Sequence, residues 1–404
     1  MGVVANWSFL KACVRVAPGI MAAVFVATMA MGQPTAQPPH PQTARSYFVY
    51  VGGGGINQYR FDAKTGTLKS MGLAAPVSGE SWLATDPEHR YLYTIGAPAS
   101  APNHADLRGG SISSYSIDPK TGALTYMNSV SSPTTAHISL DHTGKILFSA
   151  NYGAGSVASF AIKDDGSIGA RTYLDQHTGS SVNPVRQTKP HAHSVVVSPD
   201  NRFVFSPDLG LDKIFIYKID TARQTITPNS PAYVKVKPGL GPRHFAFGTS
   251  GKFAYAVCEM GAAVVTFRYD AASGTLTPIQ TSSILPPHPT PEDQGSEIRM
   301  APSGKYLYTS NQGPEANSKL ADGYVTVFQI DRKSGMTKQI QVQPTDGKEV
   351  RSFVIDPSGK YLLAGNGVSN TVVEFSIGKD GKLSPIRQKI DVDSPASFLF
   401  IPAP

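Results

Sequence analysis

Apolar and polar residues alternate over short runs along most of the chain, and no helical period is sustained long enough to compete. Runs such as Val325-Thr-Val-Phe-Gln-Ile and Ser194-Val-Val-Val, bounded by Gly, Pro, Asp and Ser, read as strands. An internal repeat organises them. A β-prone segment, a turn rich in Asp, Pro, Ser and Gly, a basic residue and an aromatic or aliphatic strand follow one another in Trp82-Leu-Ala-Thr-Asp-Pro-Glu-His-Arg-Tyr-Leu-Tyr. Further copies begin at His137, Ser194, His244, Glu297 and Ser352. The basic residue falls at Arg90, Lys145, Arg202, Lys252, Lys305 and Lys360, in steps of roughly 50 to 57 residues. That period suits a four-stranded propeller blade with one long loop. A second phrase, Asp-x-x-x-Gly between strands, appears as Asp62–Gly66, Asp118–Gly122 and Asp331–Gly335 and carries hairpin turn chemistry.

Residues 47–73 supply the later strands of one more unit that lacks its own first strand. The C-terminal run Ser397-Phe-Leu-Phe-Ile401 is a spare strand. Pairing the two closes the ring and removes an open sheet edge. The pattern therefore predicts an all-β, seven-bladed propeller of four-stranded blades over residues 46–404.

If each blade is written A to D from the inside outward, the start of A and the B–C and D–A connections share one rim. The extra length falls in those connections: residues 97–110 and 313–323 between B and C, residues 177–192 and 281–296 between D and A. Long loops collected on one rim mark it as the working face. Two residues into strand A the copies read Ala84, Ser139, Val196, Ala246, Arg299 and Val354, so Arg299 breaks a run of small residues. His193 and Arg243 begin strand A in their blades. Just past strand B, Asn151, Asp208, Asn311 and Asn366 read as turn-holding residues, but one blade carries Cys258-Glu259. His193, Arg243, Glu259 and Arg299 are thus expected near the top of the channel. There they would bind an anionic ligand and supply an acid or base, or else form a salt-bridge network tying blades together. His137 and His244 are second choices. His191-Ala-His193 places two imidazoles on one face, but without a carboxylate at obvious spacing or a cysteine pair it does not make a metal site. Tyr152 reads as a packing residue.

Composition adds a compartment. Lys11 and Arg15 precede the apolar run Ile20–Ala30, which is followed by small residues, and this is the layout of a signal peptide over residues 1–32. A Pro-rich linker over residues 33–45 follows. The run is short for a membrane span, so no lasting membrane insertion is expected and the protein should be exported, periplasmic or secreted. Loss of the leader takes two positive charges from a formal net charge of +7, and no dense basic stripe suggests nucleic acid. Cys258 is then the one cysteine of the mature chain, which excludes a disulfide framework.

Four phrases in order, Ala150-Asn-Tyr-Gly-Ala-Gly-Ser-Val, Pro190-His-Ala-His-Ser, Gly241-Pro-Arg-His-Phe and Cys258-Glu-Met, resemble the lactonase family of seven-bladed propellers. That family includes bacterial 6-phosphogluconolactonase and the fungal 3-carboxymuconate lactonising enzyme. The likeness runs over nearly all of residues 46–402. It implies a cofactor-free, metal-independent site at the top of the channel built from His193, Arg243, Glu259 and Arg299; beside it, His191, His244, Glu297, Arg351 and His137 are expected as further substrate contacts. Cys258 stands where the family usually has Asn, and Val350-Arg-Ser-Phe where Pro-Arg is expected. The implied activity is hydrolysis of a sugar lactone, 6-phosphogluconolactone-like and anionic, with Glu259 or His193 as base. The same residues would serve a lactonising cyclase, and a non-catalytic propeller that binds a partner or polymer stays open. An exported member is expected to act on a lactone other than those of cytosolic metabolism.

Overall fold

The computed structural model describes residues 44–77, 82–102, 104–107, 109–290, 293–313 and 322–404. The expected leader, and all of the linker but Ala44 and Arg45, lie outside the described residues. Seven antiparallel four-stranded sheets make up the fold. Inner strands of neighbouring blades pack on one another around most of the ring, and between blades 4 and 5 the second strand Phe203–Asp208 meets the inner strand Pro242–Phe247. In blade 1 the inner strand is Ser397–Ala403, which pairs with Ser46–Gly53 in the register Gly52 to Ser397, so the predicted closure by the C-terminal strand is observed.

The core lies between blades. Aromatic and branched residues of one sheet face those of the next; Phe205 of blade 4, for example, stacks on Phe245 of blade 5 at 5.4 Å between ring centroids. Four pairs of neighbouring blades are also latched at the lower rim. Tyr50, Tyr93, Tyr255 and Tyr308, all in second strands, donate to the carbonyls of Gly122, Gly166, Gly335 and Gly381 at 2.6, 2.9, 3.0 and 2.7 Å. Those glycines close the C–D turns of the following blades. The turn signals read from the sequence thus also hold neighbouring blades in place.

The Asn/Asp residues after strand B do hold turns. Asn311 accepts from the Tyr324 amide at 2.7 Å and donates to the Asp322 carbonyl at 3.0 Å. Asp208 accepts from the amides of His191 and Gly210 at 2.8 and 3.0 Å. One insertion is shorter than expected: strand D of blade 5 runs to Ser283 and strand A of blade 6 begins at Gln294. Regular β pairing there absorbs residues that the Pro-rich composition suggested were loop.

Candidate functional site

At the upper rim, strand A of four blades starts irregularly. The pairing of A with B slips between Thr135 and His137, Pro242 and His244, Gly295 and Ile298, and Val350 and Ser352. A bulge inserts a residue without a cross-strand partner and re-aims its side chain. Arg243 and Arg351 are two such residues. Strict alternation would turn Arg243 and His244 to opposite faces. The slip lets both serve the channel: Arg243 bonds to Glu259, and His244 bonds to Glu297 one layer below.

The motif Gly241-Pro-Arg-His follows from this geometry. Gly241 has φ +64°, a left-handed value that a side chain resists. Its amide donates to Asp212 at 2.7 Å and its carbonyl accepts from the Glu259 amide at 2.8 Å. Serines fix the bulges: Ser194 Oγ donates to the Arg243 carbonyl and Ser296 Oγ to the Arg351 carbonyl, both at 2.8 Å.

The upper layer centres on Glu259, which is 1% exposed. One carboxylate oxygen accepts from Arg186 Nη2 at 2.5 Å, the other from Arg243 Nε at 3.0 Å. Arg243 is itself 2% exposed and spends further donors on the Ser296 carbonyl and Gln312 Oε1. Arg186, which also donates to the Tyr152 hydroxyl, keeps 22% of its side chain exposed, and Arg351, ion-paired with Glu349 at 3.7 Å, keeps 24%. His193 packs edge-on to Tyr152, which also stacks on His191 at 4.5 Å. The His193 Nδ1 is buried without a hydrogen-bond partner. Burial, with the positive charges of Arg243 and Arg351 nearby, drives its pKa well below the ordinary histidine value, so the imidazole is neutral.

Below lies a second layer inside the channel. Glu297 accepts from His244 Nδ1 at 3.0 Å, the Ile298 amide at 2.9 Å, Ser352 Oγ at 3.2 Å and Arg299 Nη2 at 3.3 Å. Burial raises its carboxyl, but Arg299 and His244 outweigh that and hold it well below the carboxylate range. The Arg299 guanidinium lies 5.8 Å from the Trp82 ring centroid, and Trp82 packs on His137 at 4.3 Å. His193 and His244, 5.1 Å apart by ring centroids, join the layers.

The nine residues singled out in the sequence therefore all reach this end of the channel, but not as one cluster. His193, Arg243, Glu259, Arg351 and His191 form the upper layer; Arg299, expected beside Glu259, pairs instead with Glu297 and joins His244 and His137 in the lower one. Two positions further along strand A is one step further down the channel, and the ion pair with Glu297 keeps the side chain there. Sequence reading missed Arg186; Tyr152, read as a packing residue, does pack on His191 and His193 and also takes a hydrogen bond from Arg186. Arg186 lies in the expected 177–192 insertion, yet nothing in one sequence distinguishes it from other loop arginines. It is placed by Gln187, which donates to Asp212, whose carboxylate also takes Ser181 Oγ at 2.6 Å and the Gly239 amide at 2.7 Å. Asp212 thereby ties together the two segments that deliver Arg186 and Arg243. Among the described residues, no three His, Cys, Asp or Glu side chains gather as a metal would require.

Fold and site define a seven-bladed propeller with two polar layers, arginine- and histidine-rich, at one end of its channel. The chain belongs to the family described as Lactonase, 7-bladed beta-propeller, whose model matches residues 43–400. It is 30% identical to the 6-phosphogluconolactonase of Bacillus subtilis over 364 residues, covering 88% of this chain and 98% of that one. It is 31% identical to the 6-phosphogluconolactonase of Formosa agariphila, covering 86% and 95%. Among solved structures, the periplasmic gluconolactonase of Pseudomonas aeruginosa superposes with a TM-score of 0.79 at 30% identity, covering 89% of this chain and all of that one. The family expected from the four motifs is borne out, and with it the reading of the chain as an enzyme of the lactonase type.

Proposed function

We propose that the protein hydrolyses a sugar lactone in the upper layer, with His193 as general base. The observation that carries this assignment is the contrast between His193 and Glu259. Both oxygens of Glu259 are engaged by guanidiniums, and a carboxylate so held is a poor proton acceptor that instead orients Arg186 and Arg243. His193 is neutral, and its Nδ1 has no partner to compete for a proton. It takes a proton from water while the hydroxide adds to the lactone carbonyl carbon. Arg243, which retains unused N–H groups, and Arg351 stabilise the oxyanion. The ring C–O bond then breaks, and the leaving oxygen takes the proton back from the imidazolium, giving the open-chain hydroxy acid. The Cys258 thiol takes no part: it is fully buried, and burial pushes its pKa up, away from the thiolate.

Arg186 and Arg351, both partly exposed at the rim, suit a substrate with an anionic group. Export, argued from the leader, favours an unphosphorylated acid sugar; the names of the relatives favour a gluconolactone with or without phosphate. Among the described residues no helix is long and apolar enough to cross a membrane. The test is hydrolysis of 6-phosphogluconolactone, gluconolactone and a further unphosphorylated aldonolactone by wild type and His193→Gln, with and without chelator. Chelator-resistant turnover is expected, falling about 10²- to 10⁴-fold in the variant. If wild type matches the uncatalysed rate on every lactone, the reading gives way to a non-catalytic propeller; if the variant is as active as wild type, His193 is not the base.

A further inference from the structure

Below the upper layer the channel continues as a cavity of about 520 Å³ lined by first strands. Two of its polar atoms are buried and have no hydrogen-bond partner: Arg299 Nε and Ser139 Oγ. They stand at equivalent positions of their blades, where the other copies carry Ala84, Val196, Ala246 and Val354. Orphaned buried donors each cost about 1–3 kcal/mol and are rare in native structures unless something fills the site.

The neighbours say what would fit. Glu297 takes three donors besides Arg299, from His244, the Ile298 amide and Ser352. Arg299 gives it Nη2 at 3.3 Å, so its unpartnered Nε can meet a ligand while the ion pair is kept. His137 Nδ1 faces the Val195 amide at 3.4 Å, which assigns its proton to Nε2 as a donor. His244 gives its Nδ1 proton to Glu297, which leaves Nε2 as an acceptor. Burial lowers the pKa of both rings, so both are neutral. One cation, one neutral donor, one acceptor and one hydroxyl beside an indole ring match a carboxylate that also bears hydroxyl groups.

We infer that this cavity is a second ligand site, for the open-chain polyhydroxy carboxylate, with the carboxylate on Arg299 and a hydroxyl at Ser139. The identity of the acid rests on the proposed lactone hydrolysis; the site itself does not. The lactone carbonyl offers Arg299 no charge, whatever anionic group the sugar carries elsewhere, whereas hydrolysis turns it into a carboxylate, so the cavity prefers product to substrate. Through His193 and His244 it adjoins the upper layer, and occupancy would show as product inhibition.

Trp82 reports on this cavity directly. The chain has two tryptophans, and the other, Trp7, lies in the expected leader. In the chain carrying Trp7→Phe, titration with sodium gluconate at constant ionic strength should give a saturable change in tryptophan emission. Arg299→Met should weaken that binding at least about tenfold, as loss of a charged hydrogen bond implies. Ser139→Ala, which removes an unpartnered hydroxyl and should leave folding intact, should weaken it severalfold, while Arg186→Met in the upper layer should change it less than twofold. No saturable change up to about 100 mM, equal binding by wild type and both cavity variants, or loss in Arg186→Met alone would each overturn the site. Binding that survives alongside absent lactone turnover would leave the cavity standing and remove the hydrolytic reading.

Discussion

Glu259→Gln tests whether the upper layer is the low-dielectric ion cluster that its geometry describes. The substitution keeps size and shape but removes the negative charge between Arg186 and Arg243. Arg186 is partly exposed and can turn to water. Arg243 cannot: it is 2% exposed, with its remaining contacts neutral. Removing one partner of a buried pair costs about 3–5 kcal/mol, because the surviving charge is left uncompensated. For a unit of roughly 360 residues, the unfolding entropy is about 0.75 kcal/mol per kelvin, so Tm should fall by about 4–7 °C. Thermal unfolding followed by circular dichroism measures it. Adding Arg243→Met removes the orphaned charge and should restore at least half of the loss, a coupling that a double-mutant cycle reads directly. A Tm for Glu259→Gln within 1 °C of wild type, or additive losses in the double variant, would refute the picture of a buried, mutually dependent pair.

Three further outcomes follow from the same geometry. Because folding lowers the pKa of His137, His193 and His244 below the unfolded value of 6.5, the unfolded chain binds more protons in that range. Stability should therefore be fully present above about pH 6.5 and fall as the solution is acidified below it, with a shallower fall in His193→Gln; denaturant unfolding between pH 7.5 and 5 measures this. Arg186→Met should raise KM for 6-phosphogluconolactone about 10- to 100-fold relative to gluconolactone, since a charged hydrogen bond contributes about 1.5–3 kcal/mol; equal effects on both substrates would show that Arg186 does not read the anionic group. Asp212→Asn leaves one oxygen to serve four donors and should lower kcat/KM about 10- to 100-fold through misplaced Arg186 and Arg243, without the upward shift in Tm expected of a merely relieved buried charge; Asp212→Glu should recover part of the activity.

Much of this protein could be read from one sequence because a propeller repeats. Each blade must bury the same faces, so turn residues, strand alternation and the closing basic residue recur in register, and the departures at His193, Arg243, Glu259 and Arg299 stand out against six copies. The spare C-terminal strand was legible for the same reason: an incomplete first blade needs it. The motif Gly-Pro-Arg-His carried family information, but its physical sense came from Gly241 in a left-handed turn and Arg243 on a bulge.

Only the tertiary structure decided how those residues divide. A bulge is a slip in pairing between two strands, invisible in either strand alone, and it sends Arg243 and His244 to adjoining layers although they are neighbours in sequence. Arg299 descends to Glu297 because position along strand A is depth in the channel, which repeat spacing gives but partner choice completes. Arg186 joins Glu259 from a loop with no repeat to compare it with, steered by Asp212 across two connections. Chain pattern determined the ring and the rim; long-range hydrogen bonds between blades determined which charges meet, because such contacts depend on closure of the whole ring rather than on any local run of residues.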